Sequence, residues 1–227
     1  MTAINPLAAT ELFIGLPDKA LARVRATARV EHLPQDTLIF EQGASAQRAY
    51  AVAEGSVRIT QSGSDGAQAV IRFIASGGMF GTVPLFTDHL YPADAIAAEA
   101  STVLSWSERE LFTLIEAYPL ISINVIRVIG ARLAELQHRV RELATQRAEQ
   151  RLARALLRLL GRRDASLEGD VVAFPLRRKD LAEFAGTTLH TASRTLAAWE
   201  KAGVLSGRRA QIIIHDVPAL RRLTESS

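Results

Sequence analysis

Between Ile126 and Leu143 six apolar residues, Ile126, Ile129, Leu133, Leu136, Val140 and Leu143, follow one another at spacings of 3, 4, 3, 4 and 3. Such a stripe keeps one face of an α-helix apolar over about five turns. Its period stays near 3.5 instead of drifting at 3.6, which suits two helices packed along a seam. Charged residues border it at Arg127, Arg132, Glu135, Arg139, Arg141 and Glu142. Helical character extends from the acidic start at Ser107–Glu110 to about Arg147, and Pro119 should divide it into a short helix and a long one. The stripe has two destinations, the chain's own core or a second copy of the chain, and the steady heptad favours the second copy.

A chain of 227 residues with 48% hydrophobic and 22% charged residues can bury a sizeable core and is expected to form two domains. No charged-then-apolar leader opens it, and its apolar stretches fall short of the ~20 residues of a membrane span. A cytoplasmic protein without a membrane partner is expected. Zero cysteines exclude disulfides, thiolate zinc sites, cysteine nucleophiles and cysteine-held iron–sulfur clusters.

The formal charge of +3 conceals an asymmetry. Residues 1–150 hold 13 Lys and Arg against 16 Asp and Glu, net −3, whereas residues 151–227 hold 14 against 8, net +6. Only the C-terminal part has the electrostatic footprint of a polyanion binder.

From Val30 to Trp106 short apolar runs alternate with glycines. Thr37–Phe40, Ala49–Val52, Ser56–Thr60 and Ala69–Ile74 have strand length, and Gly63-Ser-Asp-Gly66 is suited to a hairpin turn. An antiparallel roll or barrel is expected there. Before it, Thr10–Arg29 has helical spacing, with Leu12, Leu16, Leu21 and Val24 as buried positions and Pro17-Asp18 as a start signal.

The C-terminal part reads as a DNA-binding module. Leu152, Leu156, Leu157, Leu159 and Leu160 mark a helix ending near Gly161, and Arg162–Glu168 reads as a turn. Val171–Phe174 reads as a strand and Lys179–Phe184 as a short helix. Ala185-Gly-Thr187 then forms the tight turn of two steeply crossing helices. The next helix should begin at Thr187 or Thr188 under a hydroxyl cap and run to about Lys201. Leu189, Ala192, Leu196 and Trp199 should face inward, leaving Thr188, His190, Thr191, Ser193 and Arg194 for the major groove. Ser206–Arg209 and Gln211–Ile214 form a candidate wing. Arg177, Arg178, Lys179, Arg208 and Arg209 are candidates for phosphate contacts.

Several of these segments together resemble the CRP/FNR family of transcription regulators over nearly the whole chain. They are Leu33–Gly43, Ala53–Ile59, Gly78-Met-Phe-Gly81 and, most specifically, Arg178–Leu205. The resemblance implies an α+β fold with three parts. These are a cyclic-nucleotide-binding-like β-roll sensor over 1–110, a dimerisation helix over 111–146, and a winged helix-turn-helix over 147–227. It also implies a homodimer on double-stranded palindromic DNA, with RNA polymerase as a further partner.

Two departures from the family pattern bear on function. In cyclic-nucleotide-binding members a Glu and an Arg grip the ribose and the cyclic phosphate. Here Thr82 and Pro92 stand at those places, so cyclic AMP is not the expected effector. In the recognition helix Ser193-Arg194 match the FNR-like pattern, whereas His190 replaces a Glu. Arg194 is then expected on guanine, a contact worth about 1–3 kcal/mol of discrimination. A histidine donates to guanine N7 or O6 where the glutamate accepts from cytosine, so the half-site should differ at one base pair.

Gly186–Arg194, together with the lack of cysteine, resembles regulators of the NnrR type, which respond to nitric oxide and control denitrification genes. Family members that sense gases hold haem in the barrel, and His32, His89 and His138 are weak candidates for its axial ligands, with Met79 and Tyr91 beside them. For each the ordinary role carries more weight: exposed turns for His32 and His89, a solvent-facing helix for His138, packing for Met79 and Tyr91. The effector site is therefore left unassigned. An effector-independent regulator of the same family is the alternative. A barrel-containing enzyme is disfavoured by the lack of a phosphate loop, metal-spaced histidines or a nucleophile motif. A cyclic-nucleotide-binding regulatory subunit is disfavoured by the missing Arg and by the helix-turn-helix.

Overall fold

The computed structural model describes residues 6–64, 66–161, 172–208 and 211–224, with side chains left out at Pro6, 172–175 and Arg208. Contacts divide the chain into two units, residues 1–61 with 73–136, and residues 62–72 with 137–227.

In the first unit a 3-10 turn at Pro6–Ala9 leads into α1 (Asp18–Thr27). Thr10–Gly15 is a run of bends and turns, not the helix its spacing predicts. Gly15 sits at φ +80° and Pro17 stands outside the helix as its N-cap, so helical hydrogen bonding begins only at Asp18. Leu12, Leu16, Leu21 and Val24 are all buried as expected.

Eight strands follow: β1 (Arg29–Leu33), β2 (Leu38–Phe40), β3 (Arg48–Glu54), β4 (Ser56–Ser62), β5 (Gln68–Ala75), β6 (Met79–Phe80), β7 (Asp94–Ala97) and β8 (Ser101–Ser107), with residues 62–72 of the β4–β5 hairpin belonging to the second unit. They form two four-stranded sheets, ordered β1-β8-β3-β6 and β2-β7-β4-β5. Every described pairing is antiparallel, with Ala51 opposite Leu104 and Ile59 opposite Ala95. The Gly63–Gly66 segment closes the β4–β5 hairpin: Gly63 N–H donates to Ala67 at 2.8 Å and Gly66 takes φ +77°. Asp65 of that turn lies outside the described residues.

The core of this unit is centred on Trp106, which is fully buried, stacks edge-on to Phe13 at 5.2 Å and donates its indole N–H to the Val24 carbonyl at 2.9 Å. A buried Trp with its one donor satisfied contributes apolar area without a desolvation cost.

α2 (Glu108–Ala117) starts on a capping box: Ser107 accepts from Glu110 N–H at 3.3 Å, and the Glu110 carboxylate accepts from Ser107 N–H at 2.7 Å. These bonds from the Ser107 hydroxyl and main chain hold the Glu110 carboxyl below its usual pKa. The chain breaks at Pro119, and α3 runs from Leu120 to Thr145, the division expected of that proline. Buried Asn124 on α3 donates to the carbonyls of Leu12 at 3.0 Å and Ile14 at 2.9 Å, pinning the N-terminal segment to the helix.

The second unit contains the end of α3, then α4 (Ala148–Leu160), β9 (Val172–Pro175), α5 (Arg178–Phe184), α6 (Leu189–Lys201), β10 (Leu205–Arg208), β11 (Gln211–Ile214) and α7 (Val217–Arg222). The three strands form one sheet, β10-β11-β9. Leu152, Leu156, Leu181, Phe184, Leu196 and Ile214 are among its buried residues. The turn expected at Arg162–Glu168 lies outside the described residues, as does Val171. Helix α7 has no counterpart in the sequence reading; Asp216 caps it by accepting from Ala219 N–H at 2.7 Å. Among the described residues no single helix is long and apolar enough to cross a membrane.

Candidate nucleic-acid interface

α5 ends at Phe184, and the chain reverses through Ala185-Gly-Thr187. Gly186 holds φ +63° there, a backbone region that side chains with a Cβ populate at a cost. Thr188 then caps α6 by accepting from Thr191 N–H at 3.2 Å, and the two hydroxyls lie 3.0 Å apart. Of the two threonines proposed as the cap, Thr188 is therefore the one used, and its oxygen serves the helix end.

Ala192, Leu196 and Trp199 form the buried face of α6. Trp199 also donates its indole N–H to Glu149 on α4 at 3.2 Å. Leu189, expected on that face, is half exposed. As the first helical residue, its side chain leans back past the helix end, where no further turn covers it. On the other side His190 and Arg194 are exposed, with Thr191 and Ser193 partly so. Among the described residues neither the His190 nor the Arg194 side chain makes a hydrogen bond or ion pair, so both present their donors outward.

The basic residues at the start of α5 differ in availability. Arg178 is paired with Glu200 at 2.7 Å, a bond that ties α5 to α6. Lys179 lies 3.7 Å from Glu183, one turn along its own helix, and remains largely exposed. Arg177 is exposed. In the wing, β10 and β11 pair from Leu205 opposite Ile214 to Arg208 opposite Gln211. Arg209 lies outside the described residues, as does the side chain of Arg208.

The apolar stripe of α3 is not buried: Ile126, Ile129, Leu133, Leu136, Val140 and Leu143 are between 42% and 69% exposed. Arg132 on its flank turns the other way. Arg132 donates to the Met79 carbonyl at 2.6 Å and pairs with Glu11 at 3.3 Å.

In the barrel, Thr82 is buried beside Gly81, and Pro92 is exposed. Neither supplies a charge. Four rings crowd the interior next to them. Phe40 and Tyr91 stack at 3.7 Å, Tyr50 and Phe80 at 5.1 Å, and Phe40 is 6.0 Å from Phe80. Gly81 is held against this cluster: a Cβ there would meet Tyr50 Cδ2 at 3.1 Å and Phe40 Cε1 at 3.3 Å. Burial, with Tyr91 beside it, pushes the Tyr50 phenol far above its ordinary pKa and keeps it neutral. Sequence reasoning did not identify this cluster, because its members come from three strands and a loop.

The histidines named as weak candidates for haem lie on three separate elements. His32 lies on strand β1, not in the turn expected for it; its alternation with the half-buried Glu31 and Leu33 turns the ring outward, where Nδ1 bonds Thr102 at 3.1 Å. His89 occupies the expected exposed turn at φ +55°, 4.0 Å from Glu108, and His138 is exposed on α3. Met79 and Tyr91 are buried, and the Tyr91 hydroxyl is engaged by the Arg48 carbonyl at 2.9 Å. Among the described residues no group of three or more His, Cys, Asp and Glu could hold a metal ion.

A sensor-type β-roll, a long helix and a helix-turn-helix with a wing define a DNA-binding transcription regulator. Residues 30–118 match the cyclic nucleotide-binding domain family, and residues 150–223 match the Crp-like helix-turn-helix domain family. The chain is 30% identical over 194 residues to the cyclic AMP receptor protein of Thermus thermophilus, covering 86% of this chain and 87% of that one. It is 24% identical to a CRP-like cAMP-activated global regulator of Mycobacterium tuberculosis, covering 95% of this chain and 97% of that protein. In structure it is similar to FixK2 of Bradyrhizobium japonicum, with a TM-score of 0.76 and 22% identity over 88% of this chain and 98% of that one. The catabolite activator protein of Thermus thermophilus gives a TM-score of 0.55 at 28% identity, over 95% and 99% of the two chains. The chain belongs to the CRP/FNR family of transcription regulators.

Proposed function

We propose that the protein is a cytoplasmic homodimeric regulator that binds a palindromic site without cyclic AMP and answers another small signal. Its working parts are a sensor over 1–110, a dimerisation helix over 111–146 and a DNA-binding domain over 147–227. The exposed α3 stripe supports the dimer: six apolar residues at heptad spacing are open along one helix face, the surface a second copy would cover. Two recognition helices then enter successive major grooves about 34 Å apart. Arg194 and His190 read base edges, Ser193 and Thr191 assist, and Thr188 orients the helix start. Arg177, Lys179, Arg208 and Arg209 serve phosphates. Arg178 serves α5–α6 geometry first, through Glu200.

The observation that carries cyclic AMP independence is the replaced pair, Thr82 and Pro92, beside an interior filled by the Phe40–Tyr91 stack. A cyclic phosphate entering there would meet no guanidinium and would have to displace two stacked rings. The named relatives that respond to cyclic AMP do so as properties of those proteins. Nitric oxide is the effector that the recognition-helix likeness to NnrR-type regulators supports, with RNA polymerase as partner and activation as outcome.

Calorimetry with cyclic AMP should register no binding, and anisotropy of a bound duplex should be unchanged by the nucleotide. A micromolar affinity, or DNA binding that requires cyclic AMP, would overturn the reading. Adding nitric oxide anaerobically should change the affinity for the duplex; no response would remove that effector and leave the DNA assignment standing.

A further inference from the structure

The C-terminal carbonyls of a helix lack helical donors, and at the end of α5 arginines supply them. Phe184 carbonyl accepts from Arg139 Nη2 at 2.9 Å, Ala185 from Arg151 Nε at 3.0 Å, and Gly186 from Arg151 Nη2 at 2.9 Å. Arg151 belongs to α4, and its remaining bond, to the Gln146 carbonyl at 2.6 Å, stays beside its own helix. Arg139 belongs to α3 and reaches in two directions. Its Nη1 donates to the Ile71 carbonyl of β5, the last strand of its sheet. Its guanidinium also lies 4.9 Å from the centre of the Phe184 ring, with Arg158 5.3 Å from the same ring and neutralised by Glu142 at 2.6 Å. One turn along α3, Leu143 fills the notch at Gly186, where a Cβ would come within 2.6 Å of Leu143 Cδ2.

We propose that Arg139 is a positioning residue for DNA recognition: its single planar fork ties the β5 edge of the sensor hairpin to the end of α5, four residues before the α6 cap. A guanidinium holds two carbonyls at a fixed separation while stacked on a ring, which a lysine ammonium cannot do. Movement of the hairpin then changes where α6 begins. By reciprocity, DNA held by α6 changes the hairpin.

The inference rests on α6 being the DNA reader, and hydrogen exchange on the full-length protein tests the two separately. The probe is a duplex selected from a random library. At saturating duplex, peptides over 189–200 should gain protection, and the hairpin peptides over 66–74 should change by about fivefold or more, a usual size for coupling between sites. In Arg139→Lys, and in Arg139→Gln as a second variant, α6 should still be protected by DNA while the hairpin no longer responds. Arg151→Lys should leave the hairpin response in place. A parent hairpin indifferent to DNA, or a response that survives in an Arg139 variant, would overturn the proposal. Absence of protection on α6 itself would instead overturn the DNA-reading assignment on which it rests.

Discussion

Gly186→Ala places two separate loads on the helix-turn-helix. The first is backbone: at φ +63° a residue with a Cβ costs about 1–2 kcal/mol relative to glycine. The second is steric, since the new Cβ would sit 2.6 Å from Leu143 Cδ2. Leu143 is half exposed and can yield by leaving its rotamer, at about 0.5–1.5 kcal/mol. Together the loads come to about 1.5–3.5 kcal/mol, or roughly 10- to 300-fold faster exchange at 1.4 kcal/mol per tenfold. The reporting amides are Thr187, bonded to Ala182 at 2.9 Å, and those of α6. Native-state hydrogen exchange measures this directly, because local opening of the second unit is read without unfolding the first. In a Leu143→Ala background only the backbone share, about 1–2 kcal/mol, should remain. Gly186→Asn should fall between Gly and Ala, since Asn tolerates this region better. Unchanged exchange in Gly186→Ala would refute the turn geometry; an equal cost in both backgrounds would refute the Leu143 contact.

Ser107→Ala removes the α2 cap and should destabilise the first unit by about 1 kcal/mol in thermal melts at neutral pH. The Glu110 pKa is depressed in the folded state, so its contribution is present above the unfolded carboxylate pKa and is lost as pH falls through the folded value. The variant's disadvantage should therefore shrink on acidification, and a penalty constant down to pH 3 would contradict the bonding assigned to Ser107. Val140→Glu places a charge on an exposed seam position and should convert a dimer to monomer in sedimentation velocity, with the circular dichroism spectrum retained.

Local patterns made much of this fold legible. The heptad, the Pro119 break and the strand lengths are periodicities over a few residues, and each reappears in α3, α2 and β2 to β5. The helix-turn-helix was readable because the turn glycine, the threonine cap and the apolar spacing of α6 lie within about 25 residues of one another. The rest depends on pairs distant in sequence. Nothing near Phe40 indicates that Tyr91 will stack on it, and nothing near Arg139 indicates Ile71 and Phe184 as its partners. Leu189 departs from the buried face because helical periodicity does not report where the neighbouring layer ends. Thr10–Gly15 imitates a helix in sequence because turns bury Leu12 and Leu16 at helix-like spacing. His32 reads as a turn residue because the polar residues of β1 obscure a short edge strand.

The central claim is that α6 reads DNA through Arg194 and its neighbours. The direct test is selection from a random duplex library, followed by anisotropy titrations of the parent and Arg194→Ala at two salt concentrations. The account predicts an inverted repeat whose half-sites lie about one helical turn apart, and affinity that falls steeply with salt. It also predicts a loss of about 1–3 kcal/mol in Arg194→Ala, confined to duplexes carrying the preferred base pair. Binding with no sequence preference, or a preference that Arg194→Ala leaves intact, would contradict it.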